Sequence, residues 1–418
     1  MMAAEARDLA LVAHHDLGGV GNGGEGLVLQ VRPDGRRIFY IAHESAPLAV
    51  SILDVTDPRQ PELLAQLPVE HPRVRGNSLA VVDNLLLVAR QVAQAGEQPA
   101  GLWLYDVSDP AAPRALSFFD TSGGLSRGVH FVWCVDGKYA HLSTGAPDFV
   151  PTYPPDDQFY MIVDIQDPEH PREVGRWWLP GTRQGDDAPP ITPRRRPRDN
   201  GARLHNANVL PARPDRAYLG YIDGGVIVLD ISDPTAPRMV GRLVYPDDLP
   251  GYAHTATPLP NRNLLVVAEE SVVPACQDAP KLVRLVDLAD ETQPRFRSAF
   301  PQPANRDELC RRGGRFGAHN VHEIMPLPGC GVSEHFVVGT FFAGGVRLYD
   351  IRDADHPEEI AYYIPEAPPD SPMGAIQLND VYVDERGLIY TVDRHTGGLY
   401  ILEYTGPVTL DWRSGAAA

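Results

Sequence analysis

Several things that would suggest a function are scarce or missing in this chain. Among 418 residues there are four cysteines, Cys134, Cys276, Cys310 and Cys330, with no CxxC pair. Reduced thiols are therefore expected, with Cys276 and Cys310, both in loops, as the pair that could bond. No uncharged stretch reaches the roughly 18 apolar residues of a membrane span, and the opening MMAAEARDLALVAHHDL lacks a basic segment followed by a long apolar run. The expectation is a soluble, cytoplasmic protein. Basic residues are outnumbered, 37 against 55 acidic, for a formal charge of -18 and a pI near 5.2. Nucleic acid and anionic membrane surfaces recruit Lys/Arg-rich faces, so the balance argues against both and leaves a small-molecule substrate as the expected partner. Nothing in the sequence speaks to oligomeric state.

Catalytic signatures are missing as well. There is no GxSxG elbow, and no serine or cysteine is tied by spacing to a histidine and an acid. A P-loop is absent, and the glycine-rich 19–26 segment (GVGNGGEG) leads into a strand pattern rather than a helix, so it is no phosphate cradle.

What the chain has in abundance is turn chemistry and repetition. Pro (41) and Gly (38) suit many short strands joined by turns. Seven copies of one pattern recur: AVSILDVTDPRQP from Ala49, GLWLYDVSDPAAP from Gly101, FYMIVDIQDPEHP from Phe159, GVIVLDISDPTAP from Gly225, LVRLVDLADETQP from Leu282, GVRLYDIRDADHP from Gly345 and a shortened GLYILEYTG from Gly398. The matching acids, Asp54, Asp106, Asp164, Asp230, Asp287, Asp350 and Glu403, lie 52 to 66 residues apart, a period in the range of four-stranded propeller blades. In the fourth unit the pattern predicts strands over 206–211, 216–222, 226–231 and 239–244. The aspartates read as turn formers that fold back on backbone amides, not as a catalytic set. The seventh unit lacks its outer strand, and 9–17 (LALVAHHDL) is the segment that would supply it and close the ring. The predicted fold is all-β: a seven-bladed β-propeller of four-stranded blades, one domain over 1–418, with the N-terminal strand 9–17 closing the last blade.

These repeats resemble those of the LVIVD-repeat proteins, named for strands such as VIVLD at 226–230. The resemblance implies a β-propeller and leaves the chemistry to the site.

Insertions fall between outer and next inner strands, or between second and third strands, at 143–158, 181–203, 269–281, 301–317 and 365–377. In a propeller these connections open on one face and would crown one mouth, the usual binding face. Arg194, Arg195 and Arg196 there suggest an anion clamp, and Phe149, Tyr153, Trp178 and Tyr252 an apolar access path.

One register carries histidine. In LHNANVLP (204–211), AHTATPLP (253–260) and VHEIMPLP (321–328) a histidine stands six residues before a proline, and VHFVWCVD (129–136) fits with aspartate in place of proline. His130, His205, His254 and His322 are therefore predicted to point from four blades at one axis as metal ligands. At the same point the other blades offer Gly24 or Glu25, Asn77 or Ser78, and Asn379 or Asp380. Four neutral ligands on one side would leave a position open, as a catalytic site needs. One divalent transition metal ion follows, and four imidazoles suit Fe(II), Cu, Zn, Mn or Ni without choosing among them. Glu269, Glu270 and Glu323 are candidates to orient the histidines, and His319 and Glu323 are the expected catalytic acid–base groups, while His141 and His395 have no assigned role.

Four histidines from four blades on a propeller axis resemble the iron site of the carotenoid-cleavage oxygenases, with the strings YAHTATP and AHNVHE as local likenesses. The copper-dependent propeller thiol oxidases of the selenium-binding-protein group are similar in the same sense. These resemblances imply a metal-dependent enzyme, an Fe(II)-dependent oxygenase or oxidoreductase acting on a small organic substrate. The alternatives are a metal-assisted lyase or hydrolase and a non-catalytic interaction scaffold.

Overall fold

The computed structural model describes residues 4–191, 200–246, 249 and 251–417. Seven of its sheets are antiparallel blades, and a small eighth pairs Gly331–Val332 with Arg413–Ser414. The first runs Gly23–Val31, Arg37–His43, Leu48–Asp54 and Glu62–Pro68, and the others repeat that up-and-down order outward from the axis, except that in the sixth the innermost place is taken by an irregular segment bridged to Gly339 at Val321. In the fourth blade the strands are Asn206–Leu210, Arg213–Gly220, Val226–Asp230 and Arg238–Leu243, within three residues of the expected bounds. Each blade packs on the next through apolar clusters shared by neighbours, such as Leu265 and Val267 of the fifth against Val226 and Val228 of the fourth. The innermost strands of the last and first blades touch as well, so the ring is closed.

Closure uses more of the N-terminal segment than one strand. Leu9–His15 pairs antiparallel with Leu399–Tyr404 as the outer strand of the seventh blade, and Glu5–Arg7 pairs with Glu358–Ile364 at the edge of the sixth. Asp8, with φ of 56°, turns the chain between the two. Two exposed edges are thereby covered.

The repeated aspartates cap turns. Asp54, Asp106, Asp164, Asp230, Asp287 and Asp350 each accept a hydrogen bond through Oδ1 from the amide two residues on, at 2.8 to 3.0 Å. This is the bond a short polar side chain makes to hold a tight turn.

The two mouths of the ring differ. The crown insertions cover one, where Cys276 and Cys310 are disulfide-bonded with Cα atoms 5.5 Å apart. The expectation of reduced thiols fails for this pair because two insertions distant in sequence, one carrying the helix Arg306–Arg311, meet side by side on the crown. Cys134 and Cys330 are free and buried. At the other mouth Met325 and Leu327 pack under blades one, two, four and seven, and Gly415 N donates to Cys330 O at 2.8 Å. That end is plugged. No helix among the described residues is long and apolar enough to cross a membrane.

Candidate metal centre

The axial side chains owe their direction to irregularities in the inner strands. The pairing register slips between Val129 and Phe131, at His130, between Ala253 and Thr255, at His254, and between Gly23 and Leu27, at Glu25. A bulged residue leaves the pleat and can be aimed away from the sheet, here along the axis. Gly24 and Gly26 flank Glu25 because a Cβ on either would fall 2.7 Å from Asn77 O or 2.5 Å from Leu79 N of the next blade. His205 and His319 are placed alike: each amide donates to the carbonyl that ends the second strand of its blade, His205 to Gly220 at 2.8 Å and His319 to Thr340 at 3.0 Å.

Four imidazoles and two carboxylates converge. His130 Nε2 lies 2.7 Å from His205 Nε2. Glu25 Oε2 is 3.4 Å from His205 Nε2, 3.7 Å from His254 Nε2 and 3.9 Å from His130 Nε2. Glu270 Oε2 is 3.7 Å from His254 Nε2, and Oε1 is 3.7 Å from His319 Nε2, which stands 3.6 Å from Glu25 Oε1. Ligand bonds of roughly 2.0–2.2 Å put donors of one ion about 3 to 4.4 Å apart, depending on the angle between them. Both Glu25, His205, His254 and His254, Glu270, His319 are groups that could hold a metal ion.

The far nitrogens decide which atoms are free. Each Nδ1 meets an oxygen acceptor: Gln91 Oε1 at 2.9 Å from His130, Asn206 Oδ1 at 2.5 Å from His205, Thr255 Oγ1 at 3.0 Å from His254 and Asn379 O at 2.6 Å from His319. In His205, His254 and His319 these partners assign the proton to Nδ1 and turn the Nε2 lone pair inward, while His130 Nδ1 lies between Gln91 Oε1 and the Arg75 guanidinium at 3.3 Å. His130 Nε2 and His205 Nε2 face each other at 2.7 Å, while Glu25 Oε2, His254 Nε2 and His319 Nε2 are buried without a hydrogen-bond partner. Leaving such atoms unpaired costs free energy, and a cation among them relieves it. The residues present fit a metal.

Electrostatics agree. Burial, and then the neighbouring imidazoles, push His130 and His254 well below the ordinary histidine range, and burial lowers His205 against the pull of Glu25 and Glu270. His130, His205 and His254 are thus neutral at pH 7. Burial opposes ionisation of Glu25, but His319, His205 and His254 outweigh it and hold its pKa well below the usual carboxylate range. Glu270 is lowered in the same way: burial opposes, and His319 and Arg315 prevail.

Of the expected ligands, His130, His205 and His254 are brought together and His322 is not. His322 Nε2 donates to Gly331 O at 2.7 Å and its Nδ1 accepts from Val383 N at 3.1 Å, with its ring against Tyr382 and Trp412. Both nitrogens are spent on backbone. Three residues apart on an extended segment, His319 and His322 face opposite ways, so His319 takes the axial place in the sixth blade. The HN dipeptide shared by 205–206 and 319–320 marks that equivalence. Glu323 accepts from Asn206 Nδ2 at 3.1 Å and Asn208 Nδ2 at 2.9 Å, one hydrogen bond removed from the His205 ring, and burial pushes it up to about 7. It positions Asn206 and does not reach the cluster. Below it, Glu25, Glu323, Asp380 and Tyr382 line an axial cavity of about 20 Å³, room for one water. Glu269 is held by Arg284 and Leu282 N. His141 is bound to Tyr160. His395 N donates to Asp393. Phe149 and Trp178 pack around Phe159 in the third blade. Arg194, Arg195 and Arg196 lie outside the described residues.

Fold and site together define a β-propeller with a buried histidine–carboxylate cluster on its axis. The LVIVD repeat matches residues 215–244, the fourth of the seven units. No curated protein matches the sequence. Among solved structures, the chain is similar to the β-propeller domain of Cps50 (Swd1) from Myceliophteria thermophila, with a TM-score of 0.56 at 13% identity over 92% of this chain and 97% of that one. It is also similar to U3-55K, at 0.57 and 11% over 94% and 98%, and to the RRP9 WD40 repeats, at 0.57 and 11% over 95% and 99%. At such identities the likeness is one of fold alone.

Proposed function

We propose that this protein is a metal-dependent oxidoreductase of oxygenase type, with one Fe(II) held on the propeller axis by His130, His205, His254 and His319 beside Glu25, acting on a small organic substrate admitted through the crown. The observation that carries this reading is the convergence of four Nε2 atoms and two carboxylates, among which Glu25 Oε2, His254 Nε2 and His319 Nε2 are buried without a hydrogen-bond partner. Four imidazoles with a hard carboxylate suit Fe(II) better than a closed structural zinc site, which stops at four donors, or Cu(I), which prefers sulfur. Bound there, Fe(II) would supply one-electron redox chemistry.

The chain's own groups do the rest. Glu25 offsets cationic charge beside His130, His205 and His254, which burial keeps neutral. Glu270, paired with Arg315 at 2.8 Å, stands beside His254 and His319 as the nearest group to take or give a proton at the crown side. Glu323, through Asn206, fixes the His205 ring. The plug at Met325 and Leu327 confines entry to the crown and keeps bulk water from the far side.

The test is elemental analysis of protein reconstituted with Fe(II), Cu, Zn and Mn without oxygen, followed by a screen for oxygen uptake with small organic substrates. About one equivalent of iron and substrate-dependent uptake are expected. Less than about a tenth of an equivalent of any metal would leave the interaction scaffold as the better reading, and metal without oxygen uptake would favour the metal-assisted lyase or hydrolase.

A further inference from the structure

The axis carries more donors than one ion uses. An ion held by four imidazoles and Glu25 makes no use of Glu270, yet Glu270 stands as close to the histidines as Glu25 does: its Oε2 lies 3.7 Å from His254 Nε2 and its Oε1 3.7 Å from His319 Nε2. Glu270 follows the second strand of the fifth blade, Leu264–Glu269. Adjacent residues of an extended chain face opposite ways, so the Glu269 carboxylate is taken up inside the blade by Arg284 and Leu282 N while that of Glu270 is turned to the axis.

The donors fall into two groups that share His254: Glu25, His205 and His254 form one, and His254, Glu270 and His319 the other. Glu25 spans them. Its Oε2 lies 3.4 to 3.9 Å from His205, His254 and His130, and its Oε1 lies 3.6 Å from His319. A carboxylate that presents one oxygen to each of two donor sets is placed to bridge two cations, as in two-metal sites whose ions stand roughly 3.5–4 Å apart. The second set is preformed: His319 Nε2 is buried without a hydrogen-bond partner, and Glu270 is buried with Arg315 holding it at 2.8 Å.

We propose that the cluster holds a second divalent transition cation, bound by Glu270 and His319 and bridged through Glu25 to the first. The inference rests on the metal reading of the axis. With one ion bound, His319 completes the ring of imidazoles; a second ion takes His319 and leaves the first with His130, His205, His254 and Glu25. Imidazole and carboxylate together suit such an ion at either place. Filling is stepwise, because the second ion meets the charge of the first and must draw Glu270 from Arg315, and Arg394, 3.8 Å from Glu25 Oε1, opposes it as well. Protein stripped of loose metal therefore keeps one equivalent, and the second enters only with metal in excess.

Titration of the metal-free full chain with Mn(II), followed by electron paramagnetic resonance, tests this, because aquated, singly bound and paired Mn(II) give different spectra. Two equivalents should bind, the second at least about tenfold more weakly than the first. The isolated-ion signal should grow to one equivalent and then be lost to spin coupling as the second ion enters. Glu270→Gln should keep the first equivalent and lose the coupled second. Saturation at one equivalent overturns the proposal and leaves the single-ion reading standing. So does a second equivalent whose signal only adds to the first, which is an ion held elsewhere on the surface. A coupled second ion retained by Glu270→Gln overturns the ligand assignment. Protein that binds no Mn(II) loses the second site, and if it takes up no Fe(II) either it loses the metal reading too. The wild-type spectra decide the matter even if Glu270→Gln does not fold.

Discussion

The axis and the rim of this propeller are built from the same repeat, and they treat polar groups in opposite ways. On the rim, six aspartates each find a backbone amide two residues on, and the carboxylates are used up by the turns they hold. On the axis, Glu25 Oε2, His254 Nε2 and His319 Nε2 have no hydrogen-bond partner although they are buried. Repetition with full satisfaction marks structure. Repetition that leaves donor atoms facing one another marks a place for something that is not protein.

Breaking the axis should give the largest effect. His254→Ala is expected to lower bound metal from about one equivalent to below a tenth, because the remaining donors are fixed in place, His130 and Glu25 by bulges and His205 and His319 by backbone hydrogen bonds to their blades. His322→Ala should keep its metal and lose about 3 kcal/mol of stability from two orphaned backbone partners and a cavity. Metal loss in His322→Ala with retention in His319→Ala would reverse the assignment of the sixth blade. Breaking the rim comes next: deleting residues 1–17 removes buried Leu9 and Leu17 and uncovers two edges. A loss of at least about 4 kcal/mol and oligomerisation visible by light scattering are expected.

A third measurement separates satisfied from unsatisfied histidines by pH. His141 is bound to Tyr160 OH at 2.6 Å, and burial brings its pKa to about 4. The unfolded chain takes up this proton near pH 6.5 and the folded chain does not until about pH 4, so the stability tied to neutral His141 is complete above 6.5 and drains as pH falls through that window. The stability gap between wild type and His141→Gln should therefore shrink by about 2 kcal/mol between pH 7 and pH 5. A gap independent of pH in chemical denaturation would show that His141 is not held neutral. The smallest effect belongs to a single rim turn: Asp164→Ala should cost about 1 kcal/mol and leave metal content unchanged.

Most of the fold was legible because it follows from period. Strand alternation, the recurring aspartate and the missing outer strand of the last unit lead to seven blades and an N-terminal closure without reference to any distant contact. The site was legible in part. Three histidines share a register with one another, but Pro326 stands seven residues after His319 where Pro211 stands six after His205. Aligning on proline therefore selected His322, and the sixth blade's inner segment, which pairs with Phe336–Thr340 through the isolated bridge at Val321 and a few backbone hydrogen bonds rather than as a continuous strand, does not keep the strict alternation the register assumed. Glu25 was one of two residues at its point because a two-residue bulge cannot be placed from a pattern of period two.

The bulges have one more consequence. A residue in a bulge takes no part in the cross-strand ladder, so its identity can change without disturbing the sheet that carries it. Glu25, His130 and His254 are in effect sockets on a fixed frame. Variation at those points would alter which ion or ligand the ring accepts while leaving the blades intact, and the frame and the chemistry of this protein are thereby free to drift apart.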